Sequence, residues 1–221
     1  MLVENYKQVM REISLAAERA GRNPADIKLI AVTKTVGVEE VRHAAEMGIT
    51  DFGENRVQDA EEKVKTLPAL NWHFIGHLQS NKARDVLSHY SLIHSLDRNS
   101  LAKALQHWAE KAGKKADVLI QVNVSGEESK FGLEPGKLPG FIKQLAGYNR
   151  INVKGLMTMA PFVNDPEEAR PCFRKLRELR DDNVQEGLDL SELSMGMTND
   201  YIVAVEEGAT MVRIGSALFN W

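Results

Sequence analysis

Near the start of the chain, Leu2, Tyr6, Val9, Ile13, Ala16 and Ala20 recur at spacings of three and four, the period of one helix face. Gly21 and Asn23-Pro24 stop that pattern. The next run, IKLIAVTK at 27–34, is apolar, rich in β-branched residues and too short for a buried helix, so it reads as a strand. From Val38 to Met47 the helical period returns, ending at Gly48. The same exchange of periods runs on through the chain. TDFGEN (50–55), NWHFIG (71–76), SLIHSL (91–96), DVLIQVNV (117–124), INVKGLMTM (151–159), ELSMGM (192–197) and TMVRIGSALF (210–219) read as strands. Between them, helical periods are marked by Val57, Ala60, Val64 and Leu67, and by Leu101, Leu105, Trp108 and Ala112. Two more run from Arg170 to Arg180 and from Asn199 to Glu207.

Strands separated by helices pair in parallel through right-handed crossovers. Eight of them predict a single (β/α)8 TIM barrel. With no helix expected after the last strand, the additional N-terminal helix supplies the eighth outer helix. The competing fold is an open doubly wound sheet, but no G-x-G-x-x-G follows the first strand. A barrel consumes nearly all of the 221 residues, so one domain spanning 1–221 is expected.

Composition narrows the function. Lys and Arg number 28 against 31 Asp and Glu, a net charge of −3 that gives no electrostatic reason to expect nucleic-acid or membrane binding. No apolar run approaches the roughly 18 residues of a membrane span. The opening MLVENYKQVMREISL lacks the unbroken apolar stretch of a signal peptide. Cys172 is the only cysteine, which excludes an internal disulfide and a multi-cysteine metal site. A cytoplasmic enzyme or small-molecule binder is the expectation.

A parallel barrel places its active site at the C-terminal ends of the strands. There the chain offers Lys34, Glu54-Asn55, Gly76-His77, Asp97, Asn123, Met157-Thr158, the segment 194–198 and the segment 213–216. Lys34 closes an almost wholly apolar strand, where partial desolvation would free a neutral amine for Schiff-base formation; a lysine snorkelling to solvent is the plainer reading. SMGMTND and RIGS bring glycines and hydroxyls to the loops after strands 7 and 8, a frequent phosphate site in barrels, although such residues are also ordinary turn chemistry. A reactive lysine facing a phosphate cup fits pyridoxal 5′-phosphate (PLP) or the substrate of a sugar-phosphate aldolase. An inward Arg213 would face the pyridine nitrogen of PLP and keep it unprotonated.

The remaining residues carry weaker signals. His73 and His77 are separated by Gly76 on a strand and make an unconvincing metal pair, so no metal site is expected. His94 reads as a hydrogen-bonded core residue. Lys82 and Arg84 read as solvated, Lys130 as part of a flexible, exposed loop, Cys172 as structural, and Tyr201 as a packing residue with an outside chance of reaching the barrel mouth.

AVTK (31–34), FGENRVQDA (52–60), WHFIGHLQSNK (72–82), ESKFG (128–132), GLMTM (155–159), LSMGMTND (193–200) and MVRIGSALF (211–219) together resemble the YggS/PROSC family of PLP homeostasis proteins. The resemblance implies a barrel similar to the N-terminal domain of alanine racemase. It also implies PLP held as a Schiff base on Lys34, Asn55 beside the cofactor, and Arg213 facing the pyridine nitrogen. Ser194, Gly196, Met197, Thr198, Gly215 and Ser216 fall on its phosphate-holding segments. The family usually has Ser where this chain has Thr198, which keeps the hydroxyl. The implied role lies in intracellular vitamin B6 and amino-acid balance, with PLP-dependent apo-enzymes as acceptors and little catalytic turnover of its own. A monomer is expected. The alternative is a PLP-dependent amino-acid racemase of low activity, for which Tyr201 and His73 are the available second acid/base groups.

Overall fold

The computed structural model describes residues 1–184 and 188–219. Eight parallel strands close into one barrel in sequence order. They are β1 (Lys28–Val32), β2 (Asp51–Glu54), β3 (Asn71–Phe74), β4 (Leu92–Leu96), β5 (Ala116–Gln121), β6 (Ile151–Met157), β7 (Glu192–Met197) and β8 (Met211–Ile214). Closure comes from β1, which pairs on one side with β2 (Ile30 opposite Asp51) and on the other with β8 (Ile30 opposite Arg213).

Most helices follow the periods that predict them; those between β3 and β4, between β5 and β6 and after β8 have no period read for them in the sequence. They are α1 (Leu2–Arg19), α2 (Val38–Glu46), α3 (Val57–Thr66), α4 (Ala83–His89), α5 (Asn99–Lys111), α6 (Leu138–Leu145), α7 (Arg170–Asp182), α8 (Tyr201–Glu206) and α9 (Ser216–Phe219). Their apolar faces bury Ile13, Val41, Leu101, Leu105, Phe141 and Phe173 against the outside of the sheet, where Phe52, Trp72 and Phe74 also lie. This layer holds most of the buried apolar surface, at roughly 25 cal/mol per Å² removed from water. The inside of the barrel is different. Its apolar filling is a separate small cluster of Ile30, Leu92, Leu119, Met157 and Met211, and polar side chains take the rest of the space.

Three details depart from the sequence reading. The run 210–219 is not one strand: β8 stops at Ile214, and the amides of Leu218 and Phe219 donate to the Gly215 carbonyl at 2.9 and 3.0 Å, coiling the apolar tail into α9. A short helix therefore does follow the last strand. α1 seals the seam beside it, with Asn5 Nδ2 donating to the Leu218 carbonyl (3.0 Å) and Arg22 to that of Val205 (2.7 Å). α6 carries a helical period at Leu138, Phe141, Ile142 and Leu145, but Pro139-Gly140 obscures it in the sequence. Pro139 is tolerated in the first turn, where its missing N–H costs nothing. Finally β3, β5 and β6 end two or three residues before the apolar runs that predict them, because the rim loops begin there.

Gly155 sits where β6 shifts register against β5, and a Cβ there would lie 1.8 Å from the Glu192 carbonyl oxygen of β7. Gly155→Ala must separate β6 from β7. The expected outcome is a loss of at least roughly 1–3 kcal/mol, seen as a lower midpoint in chemical denaturation; an unchanged midpoint would contradict this packing.

Candidate functional site

Lys34 lies two residues past the end of β1, on a segment anchored from beneath. The Thr33 amide donates to the Gly53 carbonyl (3.1 Å), and the Thr33 hydroxyl donates to Glu54 Oε1 (2.6 Å). Lys63 of α3 reaches the same place: its Nζ donates to the carbonyls of Thr33 (2.7 Å) and Val36 (3.2 Å) and pairs with Glu54 Oε1 at 2.5 Å. Glu54 and Lys63 are both buried. Lys34 itself is exposed and, among the described residues, makes no hydrogen bond or ion pair. Its exposure matches the plainer sequence reading, a lysine whose head reaches solvent. What the fold supplies is a fixed backbone under an open amine.

The β1–β2 register, with Val32 opposite Gly53, sets Asn55 beside the Lys34 segment on the rim. Gly76 lets the next rim loop come close, since a Cβ there would fall 2.1 Å from the Asn55 carbonyl oxygen. On the other side, Gly215 packs over Val32. Ser216 Oγ donates to Thr198 Oγ1 (3.1 Å), bringing the hydroxyls of the β7 and β8 loops together. Gly196 has φ +91° and a Cβ there would meet Ala204 at 2.5 Å, so only glycine passes this point under α8. The Met197 amide donates to Asp200 Oδ1 (2.6 Å), which fixes the turn before α8. Ser194 stands apart from this group. It is fully buried inside the barrel, bonded to His94 and Arg213.

Arg213 is 4% exposed and points inward. It donates from Nη1 to Ser194 Oγ (2.6 Å) and from Nη2 to the Thr158 carbonyl (2.9 Å). These use two of a guanidinium's five N–H donors. Among the described residues no carboxylate is in ion-pair contact with it. Burial pulls its pKa down to about 10 against the opposing charge of Asp200, so it stays a cation at neutral pH.

The other sequence candidates separate clearly. Tyr201 does not reach the barrel mouth: it is buried on the outer layer, with its hydroxyl on Glu12 of α1. His73 is buried inside the barrel between Asp51 (2.9 Å) and His94 (2.9 Å), while His77 lies on the rim, stacked on Phe131 with ring centroids 3.8 Å apart. The two histidines therefore do not converge. Lys82 pairs loosely with Asp85 (3.9 Å) and Lys130 with Glu127 (2.8 Å). The loop carrying Lys130 reads as flexible in sequence but is tied down. Asn123 Nδ2 donates to the carbonyls of Glu127 (2.9 Å) and Lys130 (3.2 Å), and Gln121 to that of Phe131 (3.0 Å). Cys172 is partly buried, which pushes its thiol up to about 11 and suits a structural role.

The family description "alanine racemase, N-terminal domain" matches residues 5–220. The pyridoxal phosphate homeostasis protein of Aquifex aeolicus is 47% identical over 220 residues, covering 98% of this chain and 96% of that protein. That of Escherichia coli K12 is 37% identical over 228 residues, covering 99% and 96%. The chain belongs to the pyridoxal phosphate homeostasis (YggS/PROSC) family. PipY of Synechococcus elongatus PCC7942, solved with PLP bound, superimposes on this family member with a TM-score of 0.86 at 34% identity, covering 100% of both chains. Alanine racemase of Clostridium difficile 630 shares its fold, with a TM-score of 0.76 at 16% identity over 98% of this chain and 56% of that one.

Sequence reasoning about this family member passed over the Glu54–Lys63 pair. A signal for it exists: Ala60, Lys63, Val64 and Leu67 share one helix face, so a lysine stands on the apolar stripe of α3, and Glu54 ends a strand that is buried throughout. Lys63→Met strands the Glu54 carboxylate and two backbone carbonyls. The expected loss is about 3–5 kcal/mol by chemical denaturation. Adding Glu54→Leu should recover part of it, and the remainder measures the grip on Thr33 and Val36. A single variant as stable as wild type would refute the clamp.

Proposed function

We propose that this protein is a PLP carrier of the cytoplasm that acts in vitamin B6 and amino-acid homeostasis with little turnover of its own. The observation that carries this reading is the pairing of an exposed Lys34, without a partner among the described residues and on an anchored segment, with a buried Arg213 that has donors to spare. PLP held as a Schiff base on Lys34 Nζ keeps a reactive aldehyde sequestered yet releasable. Thr198 and Ser216 offer hydroxyls to the phosphate, with Gly196, Met197 and Gly215 shaping the backbone around it; Ser194 contributes from below through Arg213. Asn55 stands beside the ring. Arg213 donates toward the pyridine nitrogen and, being a cation at working pH, gives it no proton, which leaves the ring a weak electron sink.

Racemisation needs acid/base groups on both faces of the substrate carbon. Tyr201 is committed to Glu12, and His73 lies inside the barrel at 2% exposure, so neither is placed to supply the second group. This supports a carrier over a low-activity racemase. The proposal further holds that the carrier is a monomer and hands PLP to apo-enzymes that depend on it.

The test is the near-visible absorbance of wild type and Lys34→Ala with added PLP, followed by borohydride reduction and peptide mass analysis. A band lost in the variant, and a PLP adduct on Lys34, are the expected results. A wild type that stays colourless in excess PLP would overturn the reading. Deuterium exchange at the Cα of several amino acids should stay at the Lys34→Ala level; exchange that depends on Lys34 would favour the racemase.

A further inference from the structure

Inside the barrel, polar side chains on five strands join in a single file. Arg213 Nη1 is 2.6 Å from Ser194 Oγ, which is 2.9 Å from His94 Nδ1; His94 Nε2 is 2.9 Å from His73 Nδ1, and His73 Nε2 is 2.9 Å from Asp51 Oδ1. All five residues are buried. Asp51 opens β2 and therefore lies at the N-terminal face, opposite the rim that carries Lys34. There it and His73 line a hollow of about 310 Å³ together with Lys28, Asn71, Lys154 and Asp189.

With one proton on each imidazole, the two ends of the file fix its direction. A guanidinium only donates and a carboxylate only accepts. Ser194 accepts from Arg213, so its own hydroxyl hydrogen has one partner in the file, His94 Nδ1. That leaves His94 with its proton on Nε2, donating to His73 Nδ1, and His73 with its proton on Nε2, donating to Asp51. Every link is then satisfied once, and each polarises the next. The surrounding charges agree with this state. Burial, helped by the positive charges of Arg213 and Lys28, holds His94 well below the ordinary histidine range, so it carries one ring proton. Burial works upward on Asp51, but His73, Thr50 and Lys28 outweigh it and keep the carboxylate ionised. Arg213 faces the charge of Asp200 as well as the file. If filling space were all that was required, the apolar residues beside the file would serve without the desolvation of two imidazoles.

We propose that Asp51, His73 and His94 are positioning residues for Arg213: a one-directional relay through the barrel that couples the N-terminal face to the group opposing the cofactor ring. The role of Arg213 toward the ring rests on the PLP reading above; the direction of the relay does not. The relay predicts that in the cofactor-free protein ¹⁵N resonances show both His94 and His73 protonated at Nε2 and bare at Nδ1. Asn at position 51 can donate as well as accept, so Asp51→Asn should remove the fixed direction and shift the Arg213 side-chain resonances across the barrel. Lys28→Met alters the charge 3.9 Å from Asp51 at a half-exposed site, and should shift the same Arg213 signals in a variant that folds. With PLP loaded, both variants should also move the absorbance maximum of the bound cofactor. Wild-type His94 protonated at Nδ1, or Arg213 resonances unmoved in the folded variants, would overturn the relay. Absent PLP absorbance in wild type would sink the carrier reading alone, because the tautomers are read without it.

Discussion

Closure of the sheet by the β1–β8 ladder is the constraint from which the rest follows. Once β1 is held between β2 and β8, its last residues are fixed relative to both neighbours, and the rim positions that matter most come from those three strands. Lys34 follows β1, Asn55 follows β2, and Gly215-Ser216 follow β8. Residues far apart in the chain meet because the ladder leaves each strand end little freedom of height. β7 then completes the rim with Thr198, next to Ser216. A different register on either side of β1 would lift these groups out of line by a residue spacing and turn alternate side chains out of the barrel.

The arrangement divides labour between main chain and side chain. Under Lys34, the Glu54–Lys63 pair grips backbone carbonyls and leaves the side chain above untouched. At β7 and β8, glycines set the path of the backbone while two hydroxyls face one another. Inside the barrel, polar residues connect strands that sit across from each other. The buried Glu54–Lys63 ion pair is a weak contributor to stability beside apolar packing of equal volume, and its value here lies in geometry.

The fold was legible in sequence because its two periods alternate cleanly: runs such as 27–34 and 117–124 are too short and too β-branched for helices. Where the reading slipped, a local cue competed with tertiary context. Ala217-Leu218-Phe219 extends the apolar run of β8, yet the Gly215 carbonyl captures the following amides and coils it. Pro139-Gly140 hides a helix whose buried face is otherwise plain. The rim glycines and hydroxyls were visible as segments, as was Lys34. The contacts beneath them were not. That His73 stands between Asp51 and His94 depends on cross-strand register and inward facing, neither of which can be read from spacing along one strand. The exposure of Lys34 agrees with the plainer sequence reading, since the strand stops at Val32, two residues before the lysine.

The same closing ladder has a consequence for how the chain is made. A ribosome delivers β1 early and β8 last, so through most of synthesis the first strand has a partner on one side only. Its other edge offers unpaired amides and carbonyls to any neighbouring chain until the final strand emerges. α1 precedes every strand, and the surface it covers, α8 and α9, follows β7 and β8. The apolar face of this helix therefore waits until β7 and β8 have followed it, and closing the barrel brings elements far apart in the chain together.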